Sequence, residues 1–345
     1  MSPMLNHLLV PLLVAIFLAI NMGGSGTAPS FSVAYGANII RRSLIPGLFG
    51  IMVFLGAILA GKATAVTIGK DLIDPGLMTY NLVSIILFSV AISLLIANLL
   101  GIPQSTSQST VLSLSGAAVY YQVLNTQKLF LEIVPTWFIT PLLSFFICYF
   151  TEKYIYIPFR RKGYFTYNNI SRHPLIKAGI IIMALYVSFS IGANNVANAS
   201  GPIASMVVNE LKIVPAGSNF ILIMLISTLM VAPSFGIGSS IFGKKILEIS
   251  GKGIVLFGPI EAIVISFTTA TILLLASVTR GIPTSLVQLN TAGILGIAVA
   301  KLGYKNIFKK TEVNKFFIVW LIAPLIAFSI SLLLAFIYHK IGLLS

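Results

Sequence analysis

The stretch GIPQSTSQ at residues 101–108 returns, in looser form, as GIPTSLVQ at residues 281–288. A second pair of segments behaves in the same way, with NMGGSGT at 21–27 and GANNVAN at 192–198. The offsets are 180 residues (283 − 103) and 173 residues (194 − 21), each about half of the 345-residue chain. Two motifs that recur in the same order at nearly the same offset indicate an internal repeat. We therefore predict two repeats, 1–151 and 178–345, joined by a linker at 152–177.

The composition predicts a membrane protein. Hydrophobic residues make up 57% of the chain and charged residues only 9%, whereas about a quarter of a soluble domain is charged. Apolar runs of roughly 20 residues, enough to cross a bilayer, recur along the whole chain. The first run has no small-residue cleavage site and is predicted to be a retained helix. The expected fold is an all-α polytopic membrane protein with no separate soluble domain.

The positions of the charges predict how the repeats are oriented. The net charge of +14 comes from loops, with the linker 152–177 and the loop 301–315 both rich in Lys and Arg. The positive-inside bias explains such loops better than a nucleic-acid surface does, so no nucleic acid is expected, and the linker is predicted to be cytoplasmic in a plasma-membrane protein. The first-repeat counterpart of 301–315, at 119–134, carries little charge. The repeats are therefore predicted to be inverted, with about five crossings each and with broken or re-entrant helices, as in transporters.

The Asn/Gly/Ser motifs are expected to interrupt their apolar runs and to line a wet cavity near the midplane. Their amide and hydroxyl groups are hydrogen-bonding candidates for a substrate. The alternative is close packing of helices through small residues. The candidate substrate-binding residues of this motif are Asn21, Ser25, Thr27, Asn194, Asn195 and Asn198.

The Pro-Ser/Thr motifs are expected to place Pro in the first turn of a new helix. A helix N-terminus offers unpaired N–H groups and partial positive charge, and so binds anions without a cationic side chain. The alternative for each hydroxyl is N-capping, which would account for one hydroxyl per motif. The candidate substrate-binding residues here are Ser105, Thr106, Ser107, Gln108, Thr284, Ser285 and Gln288.

These motifs resemble the signatures of the inorganic phosphate transporter (PiT) family over essentially the whole chain. The family pattern G-A-N-D-x-x-N-x-x-G-P is similar to residues 192–202, and G-[IL]-P-x-S-[TS]-[ST]-H is similar to 101–108 and, more loosely, to 281–288. The resemblance implies an anion site between the repeats, with paired Asp residues that hold sodium. This chain has Met22 and Asn195 in place of those Asp residues, and Gln108 and Gln288 in place of His.

The departures from the family pattern predict the substrate. A hard cation prefers carboxylate ligands, and the motifs contain none, so we expect no metal site there, no cofactor and no sodium coupling through these positions. Sulfate can only accept hydrogen bonds, whereas phosphate still carries a proton that it can donate to a carboxylate. The glycine-rich first motif also resembles the sulfate permease branch of the family. The predicted function is sulfate import by proton symport with alternating access, with sodium- or proton-coupled phosphate transport as the alternative.

The coupling residue and the competing functions complete the expectations. Glu261 is the candidate proton carrier, although it could simply be a first-turn residue stabilised by the helix dipole. A membrane hydrolase would need a nucleophile with a base, or a metal, and the motifs offer neither, so no enzyme is expected. A channel is a weaker rival, which accumulation against a gradient would exclude. Trp137 is expected to be an interfacial anchor. The oligomeric state stays open, a homodimer included.

Overall fold

A computed structural model describes residues 3–100, 104–162, 173–213, 217–250, 258–309 and 311–342, and these residues are almost entirely helical. Pro103 and residues 163–172 of the predicted linker lie outside this part of the chain. The α-helices are α1 (Pro3–Gly36), α2 (Ile45–Ala60), α3 (Lys62–Val66), α4 (Tyr80–Leu100), α5 (Thr106–Tyr120), α6 (Val134–Phe150), α7 (Ile157–Arg161), α8 (Pro174–Asn195), α9 (Ala197–Glu210), α10 (Gly217–Val231), α11 (Pro233–Ser250), α12 (Pro259–Leu275), α13 (Leu286–Leu302), α14 (Tyr304–Ile307) and α15 (Thr311–Lys340).

The predicted membrane fold is confirmed. Within the described residues, 8 helical segments are long and apolar enough to cross a bilayer. The segment Lys128–Arg161 joins α6 and α7 through π-helical turns, and the segment Pro174–Glu210 joins α8 and α9. Helix α13 is apolar but shorter. The count of about five crossings in each repeat stays a prediction.

The expectation that the first Asn/Gly/Ser motif interrupts a helix is wrong. Residues 21–27 lie inside α1, which is continuous from Pro3 to Gly36. The polar side chains are satisfied within the helix itself: Asn21 Nδ2 donates to the Phe17 carbonyl at 2.9 Å and Thr27 Oγ1 to the Gly23 carbonyl at 2.8 Å. Short polar side chains can bond to carbonyls one turn back, and the helix therefore continues through them.

The glycines of this motif serve close helix packing, which was the alternative interpretation. A Cβ added at Gly23 would lie 2.2 Å from the carbonyl oxygen of Phe235 on α11. A Cβ added at Gly238 would lie 1.9 Å from the carbonyl oxygen of Ile20. Helices α1 and α11 thus approach each other at backbone distance through glycines from both sides.

The second motif does interrupt its helix. Helix α8 ends at Asn195 and α9 begins at Ala197, with Val196 between them. Pro202 lies inside α9, where its ring nitrogen cannot bond to the carbonyl of Asn198 one turn back. The second motif therefore contains a one-residue break between two helices, whereas the first lies inside one helix.

The two halves of the chain are packed in a reciprocal manner. Helix α5 packs against the last long helix, α15, and its counterpart α13 packs against α6. A Cβ added at Gly116 of α5 would lie 2.4 Å from the carbonyl oxygen of Phe328, and one at Gly296 of α13 would lie 2.3 Å from that of Phe145. Gly116 and Gly296 are 180 residues apart (296 − 116), the offset of the Pro-Ser/Thr motifs. This matched packing is consistent with the predicted repeat; the repeat and the opposite orientation of its halves stay predictions.

We predict that Gly296→Val destabilises the protein by about 1–3 kcal/mol or more, because the added carbons displace α13 from α6. The matched control is Gly47→Val in α2, since nothing lies within 4 Å of a Cβ added there. Thermal unfolding of the detergent-purified protein measures both. Equal melting temperatures for the two variants would contradict the close approach.

Candidate functional site

Helices α5 and α13 both begin with a serine cap at the centre of the molecule. The Ser105 hydroxyl accepts a hydrogen bond from the backbone N–H of Gln108 at 3.3 Å, and the Ser285 hydroxyl accepts one from that of Gln288, also at 3.3 Å. The expected new helices and their capping hydroxyls are therefore present. The expected place of proline in the first turn is wrong for Pro283, which lies two residues before the cap (285 − 283) in extended chain.

The hydroxyls and amides behind the caps connect the two halves. The amide of Asn194 on α8 is oriented so that both its ends have partners. Its nitrogen donates to Ser107 Oγ at 2.9 Å and to the Thr284 carbonyl at 2.9 Å, and its oxygen accepts from Ser277 Oγ at 2.8 Å. Asn198 Nδ2 adds a second bond to Ser107 Oγ at 3.3 Å. One asparagine therefore holds the start of α5 and the segment before α13 together.

Gln108 and Gln288 pair with each other. Each Nε2 donates to the Oε1 of the other at 2.9 Å, and both side chains are buried. The two glutamines are 180 residues apart (288 − 108), so equivalent positions of the two repeats meet face to face. Their amides thus satisfy each other, and they join the first turns of α5 and α13.

A narrow cleft, with room for about one water molecule, lies between these helix starts and α1. Its walls are buried except at Pro29, and none of the described residues that line it is charged. Among the predicted binding residues it brings together Ser25, Ser105, Thr106, Asn195 and Ser285. The remaining lining residues are Gly26, Pro29, Gln104, Ile191, Leu286 and Val287.

The other predicted residues lie outside the cleft wall. Ser107, Asn194, Asn198 and Thr284 form the hydrogen-bonded layer behind it, and Gln108 and Gln288 form their pair. Asn21 and Thr27 are buried in α1, where their donors bond to their own helix. Asn21 also accepts from Asn98 Nδ2 at 3.2 Å.

Gln104 is a cleft residue that the sequence analysis did not select. Its Nε2 donates to Ser93 Oγ at 2.8 Å and to Ser109 Oγ at 2.6 Å. Both hydroxyls donate their own protons to carbonyls. They can therefore only accept from Gln104, so the amide nitrogen and not the oxygen must face them. Its Oε1 is buried without a hydrogen-bond partner. Gln104 lies beside Ser105 in the Pro-Ser/Thr motif, and this position is the sequence signal by which it could have been selected.

Trp137 makes a tertiary contact that the sequence does not predict. Its indole Nε1 donates to the carbonyl of Pro283 at 2.8 Å, and the ring is half-buried. Its role as an interfacial anchor stays a prediction. The indole of α6 holds the extended segment that leads into the Ser285 cap.

Glu261 lies in the first turn of α12, and it does not line the cleft. Its carboxylate accepts from the backbone N–H of Gly258, and it forms an ion pair with Lys301 of α13. The capping role that was the alternative for Glu261 is thus present. No group of three or more His, Cys, Asp or Glu that could hold a metal ion occurs in the described part of the chain.

The fold and the site define a multi-pass helical membrane protein with a buried, uncharged cleft of hydrogen-bonding groups at the starts of α5 and α13. The sequence profile of the phosphate transporter family (PHO4) matches residues 22–331, and the chain belongs to that family. It is therefore a transporter of inorganic anions, and it is not an enzyme.

Relatives and a solved structure agree with this assignment. The sulfate permease CysP of Bacillus subtilis is 35% identical over 337 residues, which cover 96% of this chain and 88% of that protein. A protein of Thermococcus kodakarensis described as a "Putative phosphate permease" is 23% identical over 415 residues, covering 99% of this chain and 100% of its own. A solved structure titled "The sodium-dependent phosphate transporter" has the same fold, with a TM-score of 0.81, 22% identity, and coverage of 97% of this chain and 100% of that one.

We predict that Gln288→Leu destabilises the protein more than the double variant Gln108→Leu with Gln288→Leu. The single change leaves the Gln108 amide buried without a partner, which costs about 1–3 kcal/mol, whereas removing both partners is nearly neutral. Melting temperatures of the two variants and the wild type in one detergent decide the order. A double variant less stable than the single one would show that the glutamines do not act as a pair.

Proposed function

We propose that the chain imports sulfate by proton symport, with the anion bound in the cleft between the starts of α5 and α13. The single observation that supports this most is the chemistry of the cleft wall. It combines two helix N-termini with the side chains of Ser25, Ser105, Thr106, Asn195 and Ser285, and its described lining includes no carboxylate. Donors without opposing negative charge are what a fully ionised oxyanion requires.

The asparagine at position 195 is central to this choice. It occupies the place where the PiT signature has Asp, and it is buried in the cleft wall. A carboxylate here would repel sulfate and receive no proton from it, whereas hydrogen phosphate could donate a hydrogen bond to it. The counterpart in the first half is Met22, which is fully buried in α1. Both substitutions remove negative charge from the neighbourhood of the anion.

Import of the anion requires coupling to an ion gradient. Moving a dianion into a negative-inside cell costs ~2.3 kcal/mol per charge per 100 mV. Sodium binding calls for several oxygen ligands, carboxylates foremost, and the described residues of the cleft supply only neutral groups. Protons are therefore the coupling ion that we propose, and the plasma membrane, with the linker 152–177 on the cytoplasmic side, is the proposed location.

Alternating access would act on the bonds that join the halves. The cleft lies where α5 and α13 meet α1, and the contacts across it are the Gln108–Gln288 pair and the bonds of Asn194 to Ser107 and Thr284. If the halves rock about this centre, these hydrogen bonds are the ones that must be exchanged, while the glycine contacts of α5 and α13 move with their partner helices.

One observation favours the alternative, proton- or sodium-coupled phosphate transport. Gln104 places an unpartnered amide oxygen, Oε1, in a residue that lines the cleft. The amide is held by Ser93 and Ser109, so the oxygen keeps its place as an acceptor. Hydrogen phosphate could donate its proton to this oxygen, which sulfate cannot do. Phosphate therefore remains the second candidate substrate.

Uptake of radiolabelled sulfate into proteoliposomes tests the choice of substrate. We expect accumulation driven by an inward proton gradient, unaffected by a sodium gradient, and little reduced by excess phosphate. Phosphate accumulation driven by sodium, without sulfate uptake, is the result that would overturn the proposal.

The variant Asn195→Asp tests the role of the uncharged cleft. We expect the apparent affinity for sulfate to fall about tenfold or more, equivalent to about 1.4 kcal/mol, because a buried negative charge then faces the anion. Phosphate should compete better against this variant than against the wild type. The matched control is Asn306→Asp, the same change on an exposed residue of α14, which should transport as the wild type does. Unaltered sulfate affinity in Asn195→Asp would place the anion elsewhere.

A further inference from the structure

Two buried carboxylates meet at the end of α13 that lies away from the cleft. Glu261 on α12 is 3% exposed and forms an ion pair with Lys301, near the end of α13. Glu152, in the π-helical turns that follow α6, is 2% exposed and lies close enough to Glu261 and Lys301 to interact with both charges. Oε1 of Glu152 has no hydrogen-bond partner. From the sequence, Glu261 alone was a candidate, and Glu152 belonged to the basic linker.

The charges of this cluster do not balance when both acids are ionised. Lys301 neutralises one carboxylate, and a second buried charge without a neutralising partner is costly, which favours a proton on one of the two carboxyl groups. The other titratable groups that face the cluster are Tyr156 and Arg160. Arg160 is exposed, so its charge is largely solvated. With one proton bound, the buried cluster is neutral; without it, a net negative charge remains away from water.

Helix α13 connects this cluster to the anion cleft. Ser285 caps its start in the cleft wall, and Lys301 follows 16 residues later (301 − 285), about 24 Å along the helix axis. A displacement of α13 that changes the cleft therefore also changes the contact of Lys301 with Glu261. Withdrawal of Lys301 leaves buried negative charge without its positive partner.

Among the described residues, the cluster has no counterpart at the 180-residue offset. At the 180-residue offset the equivalents of Glu261 and Lys301 are Asn81 (261 − 180) and Tyr121 (301 − 180). Neither residue of that pair titrates as a carboxylate or an ammonium group. A titratable cluster on one side of otherwise repeated halves makes the two membrane faces of the transporter chemically different.

We propose that Glu152 and Glu261 share one proton and form the proton-binding site of the transport cycle, with α13 linking its occupancy to that of the anion cleft. This rests on the proposed function, in which protons drive anion uptake. Contact with the positive charge of Lys301 favours the ionised carboxyl pair, so the docked position of α13 in this structure is the one from which the proton can leave to water as H₃O⁺, with a carboxylate left behind. When α13 moves and Lys301 leaves Glu261, the carboxylate takes a proton up again from H₃O⁺. By linkage, the state that binds the proton more tightly is the state that proton binding favours.

The isosteric variant Glu152→Gln tests the site, because its amide mimics a permanently protonated carboxyl group. Sulfate accumulation is measured in proteoliposomes under an inward gradient of one pH unit, with the membrane potential held at zero. Each value is divided by sulfate counterflow in the same vesicles, which corrects for the amount of active transporter. One coupled proton can raise this ratio at most about tenfold in the wild type. We expect no stimulation by the gradient in Glu152→Gln. Glu261→Gln should behave alike.

The matched control is Glu132→Gln, which changes a half-exposed acid paired with Lys128 in the same long helical segment. It should keep the wild-type ratio. If Glu152→Gln shows counterflow and its sulfate accumulation is still stimulated by the proton gradient as in the wild type, the proton site is overturned while the proposed function stands. Absence of sulfate counterflow in the wild type would instead contradict the proposed function.

A second measurement needs no variant. Infrared spectra of the wild-type protein at neutral pH should contain the C=O stretch of a protonated carboxyl group, which disappears as the pH is raised. A spectrum without this band at neutral pH would contradict the shared proton. Its presence at neutral pH, together with its loss in Glu152→Gln, would support it.

Discussion

The hydrocarbon that surrounds this protein offers no hydrogen bonds, so each polar group at membrane depth must find its partner within the protein. The centre of the molecule follows this constraint closely. Asn194 has partners at both ends of its amide, and Gln108 and Gln288 satisfy each other. The few buried atoms left without a partner, such as Oε1 of Gln104 and of Glu152, therefore stand out. An unpaired polar group in this setting is costly to keep. The oxygen of Gln104 therefore supports a hydrogen-bond donor in the cleft, and that of Glu152 supports a proton on the buried carboxyl pair.

Local sequence patterns are sufficient to predict where helices α5 and α13 start. They are insufficient to predict which residues the polar side chains bond to. The caps at Ser105 and Ser285 could be predicted because a capping hydroxyl bonds to an N–H three residues away. The break in α1 was predicted wrongly, since nothing in the motif shows whether Asn21 and Thr27 bond to their own helix or to another. The bond from Trp137 to Pro283 joins residues far apart in sequence and depends on how α6 is placed. Such tertiary contacts carry no local signature.

The repeated motifs carry more information than the helix starts alone. Gln108 and Gln288 lie at the same position of the two copies of the Pro-Ser/Thr motif, and the structure pairs them. Glu152 has no comparable sign in the sequence. It stands at the border of a basic segment, where an acidic residue is normally solvated, and the packing of that segment against α13 buries it. The motifs therefore predict several residues that line the cleft, whereas the second carboxylate is visible only in the packing.

The exchange of partners between the halves has a consequence for how the chain is made. Helix α5 is synthesised well before α15, the helix that covers Gly116. Helix α6 likewise precedes its partner α13. Neither half can bury its short helix by itself, and contacts between residues so distant in sequence form slowly. The first half must therefore stay incompletely packed in the bilayer until α15 has been made, and the insertion of α15 is the step that covers α5.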